Sequence, residues 1–247
     1  MNSFSCSVNE ITLPLQLCYI YFYILPNLKN MPELIIFDLD GTLLDTIQDL
    51  ANSVNHALQK YNYPTHPLES YRQFIGNGVN KLLERALPED KRNIDFVSML
   101  KVDFITHYFA HAEESTRQYS GISELLSHLQ TKGIKLAVAS NKVQEATLKL
   151  VNRFFPEISF TAILGQREGF PVKPNPAILE EIIRIAGVEK DKVLYVGDSG
   201  VDVATAYNAK VDFVGVLWGF RSRKELEEVG GTTFVENTEE LYKLVIG

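Results

Sequence analysis

Apolar and polar positions along the chain follow two different periods. Five short runs are continuously apolar or β-rich: Leu34–Phe37, Leu136–Ala139, Thr161–Leu164, Val193–Val196 and Val214–Leu217. Between them lie segments whose apolar residues recur every three or four positions. Ile122–Gln130 (with Ile122, Leu125, Leu126 and Leu129), Glu145–Asn152 and Ala177–Ala186 are examples. A continuous apolar run suits a strand buried on both faces, whereas three-and-four spacing lines one side of a helix. Strands alternating with helices predict a doubly wound α/β fold, a parallel sheet of Rossmann-like design covered on both faces. Gly133, Gly187 and Gly230 each follow a helical pattern, where a helix-ending glycine belongs.

One interval breaks the alternation. From Thr46 to about Gln118 no convincing strand is visible, only helical patterning over Ile47–Tyr61, Val79–Leu87 and Phe96–Ala110. That is too long for a crossover loop. It predicts an inserted helical cap, residues 46–118, leaving a catalytic core made of residues 31–45 and 119–247. The first thirty residues stand apart. "LPLQLCYIYFYILP" (Leu13–Pro26) is apolar and aromatic, yet proline-bounded and short for a bilayer span. No Lys or Arg precedes Lys29, and no small-residue cleavage site follows, so a secretory signal does not fit. Met31 immediately precedes the first convincing strand. The expectation is that residues 1–30 are an extension outside the native fold, with Met31 as the native start.

Composition narrows the partners. The 247 residues are 45% hydrophobic and 22% charged, ordinary for a globular chain with a real core. A net charge of -7 argues against nonspecific nucleic-acid binding. No membrane partner is expected. Cys6 and Cys18 are the only cysteines, so neither a disulfide framework nor a cysteine metal site supports the fold, and a reducing, cytoplasmic compartment fits best.

The chemistry begins where the first strand ends. In "IIFDLDGTLLDT", Asp38 and Asp40 are two residues apart and project to the same side of an extended chain. Ligands of open α/β sheets bind beyond the carboxyl ends of the strands, where this pair falls. Carboxylates so close repel unless a cation or a shared proton relieves them, and hard oxygen donors of this kind suit Mg²⁺. Read alone, the tetrapeptide is equally an Asp-x-Asp-Gly turn.

Three later stretches change that balance. Ser140-Asn141 follows the second run and is expected to open a helix as an anion site, although a simple N-cap is the plainer reading. Lys173 sits in "PVKPNPAILEE", where flanking prolines stiffen its loop; a lone lysine is otherwise a surface charge. "VLYVGDSGVDVATA" places Asp198 past a strand and Asp202 one helical turn on, although acidic residues at a helix start are also dipole partners. Together the four loops supply carboxylates for a metal, and hydroxyl, amide and ammonium groups for an anion. That combination suits phosphoryl transfer.

In this order and spacing, "DLDGT", Ser140-Asn141, Lys173 and "GDSGVD" resemble the four motifs of the haloacid dehalogenase-like hydrolase superfamily. Within it, "FIGNGVNKLLERAL" (Phe74–Leu87) and "GVLWGFRSRKELEEVGG" (Gly215–Gly231) look like phosphoglycolate phosphatases. The resemblance implies that Asp38 is the nucleophile, forming an aspartyl-phosphate, and Asp40 the acid–base residue. It further implies Mg²⁺ held by Asp38, the backbone carbonyl of Asp40, and Asp198. Ser140, Asn141 and Lys173 would bind phosphoryl oxygens, and Asp202 would orient Lys173 or water on the metal. Gly76-Asn77-Gly78 would form the substrate loop of the cap, its helix start offering backbone donors to a carboxylate. Arg85 and Arg221 could assist but are read as surface residues and left out. Ser120 in "YSGI" stands where relatives commonly carry proline, which loosens the return from cap to core.

The implied activity is Mg²⁺-dependent hydrolysis of a small phosphorylated metabolite, 2-phosphoglycolate first, by a monomer or homodimer. Alternatives within the superfamily are a sugar-phosphate mutase, a pyrophosphatase or a nucleotidase. A dehalogenase would not need Asp40, and a phosphonatase would need a Schiff-base lysine, for which Lys60 and Lys81 have no pKa-lowering setting. A catalytically silent binding module on the same fold is the alternative from another class.

Overall fold

The structure is a computed structural model that describes residues 31–247. The expectation for residues 1–30 lies outside the described residues. β1 (Leu34–Phe37) is followed by β2 (Leu44–Asp45), then by α1 (Ile47–Lys60), α2 (Leu68–Phe74), α3 (Val79–Ala86) and α4 (Ile94–His111). β3 (Arg117–Gln118) returns the chain, and α5 (Ile122–Thr131), β4 (Lys135–Val143), α6 (Gln144–Phe154) and β5 (Phe160–Gln166) follow. The remainder runs α7 (Ala177–Ala186), β6 (Val193–Gly197), α8 (Gly200–Ala209), β7 (Asp212–Val216), α9 (Arg223–Glu228), β8 (Phe234–Val235) and α10 (Thr238–Ile246).

Six strands form one sheet in the order β5-β4-β1-β6-β7-β8, all parallel. β1 is central, and every one of its side chains is buried. Ile35 and Phe37 face one apolar cluster while Leu34 and Ile36 face the other, as the period-two pleat dictates. α5, α6 and α10 cover the first face through residues such as Leu126, Leu150 and Leu241; α7 and α8 cover the second through Leu179, Ile182 and Ala206. Each Leu, Ile or Phe withdrawn from water in this way contributes roughly 1.5–3 kcal/mol. The chain winds from β1 through β4 to β5, then crosses to β6, β7 and β8 on the other side. The carboxyl ends of β1, β4 and β6 therefore surround the point where the winding reverses, which opens a crevice there.

Between β2 and β3 the described structure holds helices only, apart from one short 3-10 turn. β2 and β3 pair antiparallel, Leu44 with Gln118 and Asp45 with Arg117, so the outgoing and returning chains run as one ribbon. Asp49 of α1 fastens the return: its buried carboxylate accepts from the Ser115 and Thr116 backbone N–H groups and from the Thr116 hydroxyl. Charge-assisted bonds of this kind are the strong class and hold the segment firmly. Among the described residues, no helix is long and apolar enough to cross a membrane.

One local expectation is corrected. Ser140 and Asn141 do not open a helix; they lie inside β4, which keeps pairing with β5 past Ala139 to Val143 across a shifted register. α6 starts only at Gln144. Any anion contact from Ser140 therefore comes from a strand end, without a helix dipole behind it. The last main strand also begins earlier than its apolar pattern suggests, at Asp212, and stops at Val216.

Candidate active site

Asp38 follows β1 directly, and its backbone N–H still bonds the Val196 carbonyl of β6. Its side chain is thus delivered to the crevice by a strand clamped on both sides. Oδ1 accepts from the Leu39 N–H at 2.7 Å and faces Lys173 Nζ at 2.9 Å. Oδ2 has no hydrogen-bond partner among the described residues, which leaves one carboxylate oxygen available. Gly41 makes the turn possible twice over: its φ is +88°, and a Cβ there would collide with the Asp198 carboxylate.

Lys173 is held with unusual completeness. Its side chain is 1% exposed, and the ammonium lies 2.7 Å from Asp202 Oδ1, 2.8 Å from the Tyr195 hydroxyl, 3.1 Å from the Ala139 carbonyl and 2.9 Å from Asp38 Oδ1. Tyr195 in turn donates to Asp202 Oδ1 at 2.7 Å, and Ser199 donates to Asp202 Oδ2 through both its N–H and its hydroxyl. Ser199 and Asp202 form a capping box at the start of α8, which fixes Asp202 by local sequence. Burial would depress the Lys173 ammonium, but Asp202 and Asp38 outweigh it and hold the value above the usual lysine range. Burial likewise pushes Asp202 up, and Lys173 with the Ser199 and Tyr195 hydroxyls overcomes it, so that carboxyl stays below its ordinary value.

The remaining acids are under strain of charge. Burial pushes Asp38 up to about 7, opposed by Lys173 and assisted by Asp202 and Asp40. Burial, then the charges of Asp202 and Asp38, push Asp198 well above the carboxylate range; the Phe220 N–H at 2.7 Å and the Arg221 charge oppose this, and the Thr42 hydroxyl also donates to Oδ1 at 3.4 Å. Asp38, Asp198 and Asp202 each bring an oxygen within 4.8 Å of the others. Both Asp202 oxygens are already committed to Lys173, Tyr195 and Ser199, so the acids with capacity to spare are Asp38 and Asp198. Asp38, whose one cation Lys173 is shared with Asp202, and Asp198, which has no ion-pair partner among the described residues, are buried oxygen donors that fit a small hard divalent cation such as Mg²⁺.

Asp40 does not share the Asp38 node. It accepts from Lys142 Nζ at 2.8 and 3.1 Å and from the Thr46 hydroxyl at 2.6 Å, and the same ammonium lies 4.8 Å from the Tyr108 ring centroid. Ser140, buried at the end of its strand, accepts from the Lys142 N–H at 3.2 Å, and its hydroxyl proton finds no acceptor among the described residues. Asn141 has another task than the one expected of its amide. Its Oδ1 accepts from the Lys173 N–H at 2.8 Å, while Nδ2 donates to the Lys173 and Gly76 carbonyls at 3.1 Å each. The side chain therefore pins the Lys173 loop to the Gly76-Asn77-Gly78 turn and has no donor left for an anion.

A pocket opens beside these groups. Asp38, Asp40, Asp198 and Ser140 form its polar floor, together with Asn141 and Lys142. Gly76, Gly78 and apolar side chains of α3 and α4, among them Val79, Leu82, Phe104 and Ile105, form the facing wall. Lys173 stands behind the floor, and Asn77 is tied back by Arg85 Nη2 at 2.8 Å. Sequence reasoning missed Lys142, Tyr195 and Arg221. Lys142 directly follows Ser140-Asn141, so it was within reach of the same reading. Tyr195 carries a hydroxyl into a fully buried strand, which demands a partner. Arg221, read as a surface residue, has a side chain only 12% exposed and lines the pocket.

A family model described as haloacid dehalogenase-like hydrolase matches residues 35–216. The chain belongs to that family. The hydrolase is 35% identical over 193 residues to a protein named phosphoglycolate phosphatase from Mesorhizobium japonicum, covering 77% of this chain and 85% of the relative. It is 32% identical over 219 residues to a protein of the same name from Mannheimia succiniciproducens, covering 86% of this chain and 98% of the relative. A crystal structure from Lactobacillus delbrueckii subsp. bulgaricus superposes with a TM-score of 0.83 at 33% identity, over 88% of this chain and 99% of that one.

Proposed function

We propose that this hydrolase is a Mg²⁺-dependent phosphatase of small phosphate monoesters, 2-phosphoglycolate first among them, working through an aspartyl-phosphate on Asp38. The observation that carries the reading is the single uncommitted oxygen of Asp38, facing a pocket whose floor already holds a fixed ammonium behind it and a free hydroxyl on Ser140. A phosphate dianion repels a carboxylate nucleophile, so such a site needs positive charge beyond Lys173. Mg²⁺ held by Asp38, the Asp40 carbonyl and Asp198 would supply that charge and leave Asp38 ionised.

In the first half-reaction Asp38 Oδ2 attacks phosphorus, the bond to the leaving oxygen breaks, and Asp40 gives that oxygen its proton. In the second, water attacks the aspartyl-phosphate and passes its proton to Asp40, the bond between Asp38 and phosphorus breaks, and inorganic phosphate leaves. Ser140 would bind an equatorial oxygen in both steps, while Lys173, its N–H groups held by Asp202, Tyr195 and the Ala139 carbonyl, would act as a fixed positive charge beside Asp38. Lys142 is a positioning residue for Asp40. The Gly76-Asn77-Gly78 turn would present backbone donors to the leaving group, with the residue 46–118 helices as a water-excluding cap.

The relatives named phosphoglycolate phosphatase support the substrate, and the lysines argue against a Schiff-base phosphonatase. Lys60 is raised by its hydrogen bond to Asp103. Lys142, despite burial, is raised by Asp40. The test is phosphate release from an aryl phosphate with and without Mg²⁺, then from a panel of small esters. Release that needs Mg²⁺ and favours 2-phosphoglycolate is expected. Comparable turnover of sugar phosphates, nucleotides and pyrophosphate would sink the substrate assignment, and transfer to a second sugar hydroxyl would point to a mutase.

A further inference from the structure

Three cations stand at or behind the pocket, and they differ in what they have left to give. Lys142 is spent on Asp40, and Lys173 on Asp38 and Asp202. Arg221 is not spent. Its Nη2 donates to the Ile75 carbonyl at 2.9 Å, next to the Gly76 turn, which fixes the plane of the guanidinium. Glu225 stands 3.9 Å from the Arg221 Nε and is already occupied, by Gln73 at Oε1 and by the Ser222 N–H and hydroxyl at Oε2. Among the described residues, Nη1 is buried and has no hydrogen-bond partner. A buried guanidinium N–H without an acceptor is a costly arrangement that natural sites seldom keep without a ligand.

The position of Arg221 gives that vacancy chemical meaning. The preceding residue, Phe220, donates its N–H to Asp198 at 2.7 Å, so Arg221 directly follows the residue bonded to this candidate metal ligand. Asp38 and Arg221 line the same pocket, and the wall from α3 and α4 that faces them is apolar. A phosphate ester seated on Asp38 would therefore share one pocket with Arg221 and the apolar side chains of α3 and α4.

We infer that Arg221 is the specificity-determining residue of this pocket, pairing through its free Nη1 with a carboxylate carried by the leaving group. The inference rests on the phosphatase reading above and deepens it. A planar guanidinium matches a carboxylate, and a neutral leaving group would leave Nη1 buried and unpaired. Sites built to bond one substrate group reject analogues lacking it more strongly than apolar pockets reject size.

The experiment compares kcat/KM for matched esters on one preparation, so that any misfolded fraction cancels in the ratio. The pairs are 2-phosphoglycolate with ethyl phosphate, and 3-phosphoglycerate with glycerol 3-phosphate. In Arg221→Met the acid-to-neutral ratio is expected to fall about 30-fold or more, with Arg221→Lys restoring part of it. An unchanged ratio, whether both esters slow together or neither does, overturns the role of Arg221. Should wild type ignore 2-phosphoglycolate yet prefer 3-phosphoglycerate to its neutral partner, the substrate assignment falls and the second pair still decides Arg221. A wild type that takes neutral esters and no acid-bearing ester overturns both.

Discussion

Asp38 and Asp40 are two residues apart, yet each belongs to a lysine–carboxylate node of a different kind. The Lys173 node is assembled by the core alone: Asp38 after β1, the Ala139 carbonyl of β4, Tyr195 of β6 and Asp202 of α8. Its acids and its ammonium are all buried. The Lys142 node straddles the junction, taking Asp40 and Lys142 from the core, Thr46 from the approach to α1, and the Tyr108 ring from α4. Any displacement of α4 leaves the first node whole and removes one wall of the second. On the proposed mechanism, charge beside the reacting phosphoryl group belongs in rigid surroundings, whereas a proton donor gains from answering to closure of the pocket.

The sharpest way to break this comparison is Asp38→Asn, an isostere that keeps the packing. Phosphate release is expected to fall by about 10⁴-fold or more, while thermal stability holds or rises, because a buried charge is replaced by a neutral amide. Loss of stability alongside activity would mean that Asp38 serves the fold. Next in size are the two lysines. Lys173→Met strands two buried carboxylates and should cost about 3–5 kcal/mol in denaturant unfolding. Lys142→Met leaves Asp40 its Thr46 hydrogen bond and some access to water, so about 1.5–3 kcal/mol is expected. Equal losses would erase the distinction between the nodes.

A pH series sharpens the same contrast. Asp38 binds its proton more tightly folded, at about 7, than at its ordinary 3.8. The folded protein therefore holds more protons between those values, and stability from this group falls as pH rises through the window. Without Mg²⁺, the melting temperature of wild type minus that of Asp38→Asn should drop from pH 4 to pH 7, and saturating Mg²⁺ should flatten the difference. A difference that climbs with pH contradicts the assignment. Smallest of all, Gln73→Ala removes an exposed contact with Glu225 and should shift stability by no more than about 0.5 kcal/mol.

The sheet was legible because its strands are continuous apolar runs, and the four candidate site stretches because each follows one of them. β2, β3 and β8 escaped because two-residue strands carry no period, and α9 because its charged run Arg223–Glu228 buries only Leu226. Asp202 lies beside Lys173 in the structure, held there by the local capping box with Ser199. The division of Asp38 from Asp40 was not legible: identical neighbours in an extended chain part only because Lys142 and Lys173 arrive from separate segments. The partners of the Asn141 side-chain amide were not legible for a related reason, as they are the backbones of two distant loops.

The most direct test is to trap the covalent step itself. Enzyme turning over 2-phosphoglycolate with Mg²⁺ is quenched, reduced with borohydride, digested and analysed by mass spectrometry. An acyl phosphate on Asp38 is converted to homoserine at that position, and this product is expected at Asp38 and absent in Asp38→Asn. Homoserine at Asp40 or Asp198, or none under conditions where phosphate is released, would contradict the account.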